Sequence, residues 1–120
     1  MALTCVLVDD SEEFMLAATR LLEAEGVAVV GRSSSSAEAI RLAAALCPDV
    51  VLVDVELGEE DGVELAARLA TTHDATAVIL ISVRDRGELA ELTAAGRVAG
   101  FLRKNAISAK AISDLMSRRG

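Results

Sequence analysis

The chain has 120 residues, of which 52% are hydrophobic and 26% are charged. This composition excludes a disordered tail, and the length predicts one compact domain over residues 1–120, without room for a second module. A formal net charge of -7 opposes binding to nucleic acid, and no apolar run approaches the ~20 residues that a membrane-spanning helix needs.

Five short apolar runs alternate with longer segments in which apolar residues recur at helical spacing. Runs that are apolar nearly throughout are typical of strands covered on both faces. In chain order, the sequence predicts strand 3–8, helix 12–25, strand 27–31, helix 36–46, strand 50–54, helix 62–70, strand 77–82, a weaker fourth helix around Leu89 and Leu92, strand 98–102, and a fifth helix marked by Ile112, Leu115 and Met116.

Capping and breaking residues agree with these boundaries. Ser11 is placed to cap the first helix and Gly26 to end it, while Pro48 follows the second helix. Gly96 lies where the fourth helix should stop. On the first helix, we expect the buried face to consist of Phe14, Ala18, Leu21 and Leu22.

The cysteines and the amino terminus favour a cytoplasmic location. Cys5 and Cys47 lie in apolar stretches without a CxxC spacing, so we expect reduced, buried thiols rather than a disulfide or metal ligands. Residues 1–4 lack the basic segment and hydrophobic stretch of a secretory signal. We therefore expect a cytoplasmic protein that binds neither membranes nor nucleic acid directly.

The strict alternation of strands and helices predicts the fold. Right-handed crossovers place the helices on both faces of a parallel sheet, which gives a three-layer, doubly wound α/β domain. For the five-stranded, flavodoxin-like order 2-1-3-4-5, ligands bind beyond the carboxyl ends of strands one and three. Those two strands end in Asp9-Asp10 and in Asp54.

Polar side chains follow four of the predicted strands. Besides the carboxylates, Ser82 ends strand four and Lys104 follows strand five. Taken singly, Asp9 and Asp10 are also suited to begin a helix, and Asp54 to make a turn. Their coincidence at one edge instead indicates a site where two or three carboxylates hold a divalent cation such as Mg²⁺ or Mn²⁺. Asp54 would then attack a phosphorus atom, with Lys104 neutralising charge on the transferred group.

The chain resembles the receiver domains of two-component response regulators, the CheY-like superfamily, over essentially all of its length. The resemblance is carried by VLVDDSEEF at 6–14, DVVLVDVELGEEDGVELAARL at 49–69, VILISV at 78–83 and AGFLRK at 99–104.

The resemblance implies a role for each matching residue. Asp54 would accept the phosphoryl group from the phosphohistidine of a histidine kinase, and Ser82 and Lys104 would bind its oxygens. The metal ligands would be Asp10, Asp54, Asp9 through water, and the main-chain carbonyl of Glu56. Phe101 would be the switch aromatic that rotates when Ser82 moves. The partner, a downstream protein or a second copy, would bind the fourth helix, fifth strand and fifth helix.

Several residues depart from the family pattern. Gly58 replaces a common proline, which predicts a more flexible loop over residues 56–61. Asn105 replaces the proline that usually follows the lysine, so the cis peptide bond often found there should not be assumed. Val83 is bulkier than the usual small residue, and Glu56 is placed to pair with Arg84. We expect these side chains to slow hydrolysis of the aspartyl phosphate.

Two other functions remain open. One is the receiver fragment of a LuxR-like DNA-binding transcriptional regulator. The other is a phosphatase of the haloacid-dehalogenase kind with an aspartate nucleophile and Mg²⁺, which needs a second aspartate where this chain has Glu56. A receiver would not be a true enzyme, because it would catalyse only its own phosphorylation and dephosphorylation.

Overall fold

A five-stranded parallel sheet lies at the centre of the fold in the computed structural model, which describes residues 2–83 and 98–118. The predicted fourth helix, with Leu89, Leu92 and Gly96, falls outside the described residues. The described elements are β1 (Leu3–Val8), α1 (Glu12–Ala24), β2 (Val27–Ser33), α2 (Ser36–Leu46), β3 (Val50–Asp54), β4 (Glu56–Leu57), β5 (Glu60–Asp61), α3 (Gly62–Thr72), β6 (Ala77–Ser82), β7 (Gly100–Arg103), a 3₁₀ turn (Lys104–Ala106) and α4 (Ala109–Arg118).

The order of the strands confirms the predicted fold. The sheet runs β2-β1-β3-β6-β7, and each neighbouring pair is parallel. Since β6 and β7 are the predicted fourth and fifth strands, this is the order 2-1-3-4-5. The predicted fifth helix corresponds to α4. No helix in the described ranges is long and apolar enough to cross a bilayer.

The two faces of the sheet carry separate hydrophobic clusters. Along β1, Val6 and Val8 belong to one cluster, together with residues of α2 and α3. Cys5 and Leu7 belong to the other, together with residues of α1 and α4. Alternate residues of a strand point to opposite faces, so a strand covered on both sides must be apolar throughout. This arrangement is the predicted three-layer architecture.

Two burial predictions were wrong. Leu21 is 44% exposed, because α1 faces the sheet with a narrow stripe of Met15, Ala18 and Leu22. Cys47 is exposed at the carboxyl end of α2, where the backbone leaves the helix in a left-handed conformation with φ of 45°. Cys5 is buried as predicted, and burial raises the pKa of its thiol to about 12.

The segment after β3 forms a hairpin that the sequence analysis did not predict. Strands β4 and β5 pair antiparallel, Glu56 with Asp61 and Leu57 with Glu60. Gly58 takes the first central position of the turn with φ of +61°, a conformation that proline cannot adopt. Leu57 is 1% exposed and packs in the core, so the hairpin is held against the domain.

Candidate functional site

The register of the sheet brings the predicted site residues to one edge. Val8 of β1 pairs with Val53 of β3, so Asp9 and Asp54 follow at the same level. Ser82 ends β6 one residue beyond the partner of Asp54, and it pairs with Arg103 of β7. Lys104 comes directly after that strand. The carboxyl ends of β1, β3, β6 and β7 therefore meet as the sequence predicted.

Asp9, Asp10 and Asp54 form what we call the carboxylate cluster. One carboxylate oxygen of each lies within 4.8 Å of the corresponding oxygens of the other two. Asp9 is fully buried and Asp54 is 6% exposed, whereas Asp10 is exposed at the rim. Like charges at this separation repel, and the repulsion is strongest where water is excluded.

Local backbone geometry orients the two buried carboxylates. Asp9 Oδ1 accepts a hydrogen bond from the Ser11 N–H at 2.8 Å, and Asp54 Oδ1 accepts one from the Glu56 N–H at 3.1 Å. The Ser11 hydroxyl accepts from the Phe14 N–H at 3.2 Å and so caps α1. Because Ser11 is the cap, Asp9 and Asp10 are not needed to begin the helix.

Lys104 is the cation paired with the two buried carboxylates. Its Nζ lies 2.7 Å from Asp9 Oδ2 and 3.1 Å from Asp54 Oδ2. Burial raises the pKa of Asp54 above its usual value, and the charge of Asp9 raises it further. The hydrogen bond from the Glu56 N–H and the contact with Lys104 lower this pKa, but their effect is smaller. Burial alone would lower the pKa of Lys104, but its contacts with Asp9 and Asp54 outweigh burial and raise it. Lys104 is therefore charged at neutral pH.

The cluster fits a hard divalent cation. Within residues 2–83 and 98–118, three carboxylates face one lysine charge, which leaves the group with excess negative charge. Asp9 Oδ2 is buried and has no well-aligned hydrogen-bond donor within the described ranges, although it contacts Lys104. Carboxylate oxygens are the ligands that Mg²⁺ prefers. The main-chain carbonyl of Glu56 stays a predicted ligand, since what the structure defines is the Glu56 N–H bond to Asp54.

A cavity of about 190 Å³ opens beside Asp54. A water molecule occupies about 30 Å³ in the liquid, so the space is enough for a phosphoryl group with some water. Ser82 is buried at its wall, while Val83 is 73% exposed. The residues that line the cavity are Asp10, Asp54, Glu56, Gly58, Ser82, Val83 and Lys104.

Phe101, the predicted switch aromatic, lies apart from this cavity. It is 7% exposed and packs in the cluster shared with α2 and α3. Its strand partner is Leu80, two residues before Ser82.

The predicted partner of Glu56, Arg84, falls in the part of the chain that the structure leaves undescribed. No peptide bond in the described ranges is cis.

The sequence analysis missed two residues that contact the site. A Cβ atom on Gly62 would lie 1.7 Å from the Asp54 carbonyl oxygen, so only glycine fits at the start of α3. The signal available was a glycine directly after the acidic run 59–61. The Phe14 ring lies beneath Lys104, with Nζ 4.5 Å from its centroid. Helical spacing had assigned Phe14 to the core alone.

Comparison with known proteins points to one family. The sequence profile of the response regulator receiver domain matches residues 5–115. The signal receiver domain of NarL from Mycobacterium tuberculosis superposes with a TM-score of 0.84 at 31% identity, covering 97% of each chain.

Two full-length regulators are also similar. Response regulator GacA of Pseudomonas viridiflava is 30% identical over 84% of this chain and 48% of its own length. Response regulator UvrY of Escherichia coli O157:H7 is 29% identical over 93% of this chain and 52% of its own. The chain therefore spans about half the length of the curated relatives it matches.

Proposed function

The chain belongs to the response regulator receiver domains of two-component systems, and we propose that Asp54 is its phosphoryl acceptor. The observation that supports this most is the contact of Asp54 with Lys104 at 3.1 Å inside the carboxylate cluster. A nucleophile, a fixed cation and a cavity for the transferred group are thus adjacent.

In the proposed reaction, an oxygen of Asp54 forms a bond to phosphorus while the bond from phosphorus to the donor nitrogen breaks. The donor imidazole leaves with that electron pair. Asp9, Asp10, Asp54 and the Glu56 carbonyl would hold Mg²⁺, which when bound offsets charge on the phosphoryl oxygens. Lys104 donates hydrogen bonds to the same oxygens, and Ser82 adds a hydroxyl from the cavity wall.

The receiver's partners are a histidine kinase and a downstream effector, and we propose how the signal passes between them. Phosphorylated Asp54 draws in Ser82 and Lys104, and Phe101 responds to the movement of Ser82. The altered surface would include β7 and α4, together with the predicted fourth helix, and would bind a protein or a second copy. We also propose that residues 1–120 form a single domain and that the protein acts in the cytoplasm.

The two alternative functions have less support. A haloacid-dehalogenase phosphatase needs a second aspartate two residues after the nucleophile, and this chain has Glu56 there, with its side chain exposed at the cavity mouth. We propose instead that the protein catalyses only its own phosphorylation and dephosphorylation. Some relatives are named transcriptional regulatory proteins, but each is about twice as long as this chain, and that role is said of those proteins alone.

The proposal is tested by intact mass after incubation with acetyl phosphate and Mg²⁺. We expect one phosphoryl adduct that is sensitive to hydroxylamine, as an acyl phosphate is. Asp54→Asn should abolish the adduct, and EDTA should prevent it. The matched control is Asp114→Asn, which removes an exposed carboxylate on α4 and should label like the wild type. Labelling that persists in Asp54→Asn would refute the proposal.

A further inference from the structure

The ring of Phe14 contributes to the surroundings of the Lys104 ammonium. The distance from Nζ to the ring centroid is 4.5 Å, inside the ~6 Å within which an aromatic face attracts a cation. The whole chain contains only two aromatic residues, Phe14 and Phe101, and Phe101 packs in the core. Among the described residues, Lys104 therefore has three neighbours that attract its charge: two carboxylates and one ring.

Hydrogen bonds at the start of α1 link this ring to the carboxylate cluster. The Ser11 N–H donates to Asp9, and the Ser11 hydroxyl accepts from the Phe14 N–H. The Phe14 ring contacts Lys104, and Lys104 contacts Asp9. Asp9, Ser11, Phe14 and Lys104 are therefore each in contact with the next, and the last is in contact with the first. The helix cap thus fixes the backbone of Phe14 relative to the site.

We infer that Phe14 is a positioning residue for Lys104 in phosphoryl transfer to Asp54, an inference that rests on the proposed function. A carboxylate that held the ammonium would compete with the phosphoryl oxygens as a hydrogen-bond acceptor. An aromatic face attracts the charge without accepting a strong hydrogen bond. It keeps the lysine beside Asp54 while leaving its N–H groups able to turn toward the transferred group.

An aliphatic side chain at this position would fill space without attracting the cation. Lys104 would then populate conformations away from Asp54, and the fraction of molecules ready for transfer would fall. We expect Phe14→Leu to slow labelling by acetyl phosphate about three- to tenfold, which lies within the roughly two- to thirtyfold change in rate that cation–π energies correspond to. The small donor excludes effects on kinase docking.

The matched variants separate attraction from packing. Phe14→Tyr keeps the ring and should restore labelling to within about twofold of the wild type. Fluorinated phenylalanines at position 14 should slow labelling stepwise, because each fluorine weakens the negative face of the ring. Ala18→Gly is the control for loosening of the helix, because Ala18 lies one turn after Phe14 on the buried side of α1. Once folding of this variant is confirmed, its rate of labelling should equal that of the wild type.

A spectroscopic measurement tests the contact without phosphorylation. In the wild type, the ring current of Phe14 should shift the resonances of the Lys104 ε-methylene protons upfield. The tyrosine ring of Phe14→Tyr should produce the same shift, whereas Phe14→Leu, which has no ring, should lose it. Equal labelling rates for the Leu and Tyr variants would overturn the inference. If the wild type takes up no phosphoryl group, the proposed function fails separately, and an unchanged proton shift in Phe14→Leu would then overturn the positioning of Lys104.

Discussion

Replacing Asp10 by asparagine should stabilise the folded protein when divalent cations are absent. Asp10 is the exposed member of the carboxylate cluster, with one oxygen within 4.8 Å of oxygens of both Asp9 and Asp54. Asparagine keeps the shape of the side chain and removes one negative charge. The repulsion within the cluster therefore decreases, while the Lys104 ion pairs stay intact.

The magnitude follows from Coulomb's law. Two unit charges 4.8 Å apart repel by about 3.5 kcal/mol at an effective dielectric constant of ~20 and by about 0.9 kcal/mol in water. Asp10 is exposed, so each repulsion is nearer the lower value, and attraction to Lys104 offsets roughly one of the two. A carboxylate just before α1 also interacts favourably with the positive end of the helix dipole, and losing it lowers the free energy of unfolding by a few tenths of a kcal/mol. We expect a net gain of about 1 kcal/mol, or about 4 °C in Tm.

The assay is thermal and urea unfolding in EDTA at low salt, repeated with Mg²⁺. At a Mg²⁺ concentration about ten times its Kd, the wild type should gain about 1.4 kcal/mol, and the variant less than half of that. The variant's advantage over the wild type should therefore shrink from about 1 kcal/mol to about 0.3 kcal/mol or less on adding Mg²⁺. Added monovalent salt should reduce the difference measured in EDTA, because it screens an exposed charge.

The control is Glu23→Gln, which removes one exposed charge near the far end of α1, about 16 Å along the helix from Glu12. Its stability should change by less than about 0.5 kcal/mol, with or without Mg²⁺. If Asp10→Asn is no more stable than the wild type in EDTA, the charge argument is wrong. Equal stabilisation of both proteins by Mg²⁺ would refute Asp10 as a ligand.

Three further measurements test other parts of the structure. Gly58→Pro, which restores the common family residue, should lower the free energy of unfolding by about 1 kcal/mol or more, because proline cannot reach φ of +61°; unchanged urea midpoints would contradict this. At pH 8 a thiol reagent should modify Cys47 alone, and Cys5 only after unfolding. Since burial raises the pKa of Cys5 to about 12, its contribution to stability is complete below the ordinary value of 9.0 and is lost as pH rises toward 12. Val83→Ala should speed loss of the aspartyl phosphate about two- to fivefold by opening the cavity to water, and a decay rate equal to that of the wild type would count against that role.

The sequence by itself determined the strands, the capped helix ends and the edge at which the site lies. Strands buried on both faces must be apolar throughout, so their ends are visible where Asp9, Asp54 and Ser82 interrupt the pattern. Parallel connectivity then places those ends together. These inferences need only local periodicity and the handedness of crossovers.

Only the tertiary structure decided how the side chains meet. Helical spacing could not show that Leu21 and Cys47 turn toward solvent, because that depends on where each helix lies on the sheet. Nor could it show that Phe14 faces Lys104, since the two residues belong to elements far apart in the chain. Contacts of this kind depend on strand register and on the path of each loop, and no single segment of the sequence specifies either.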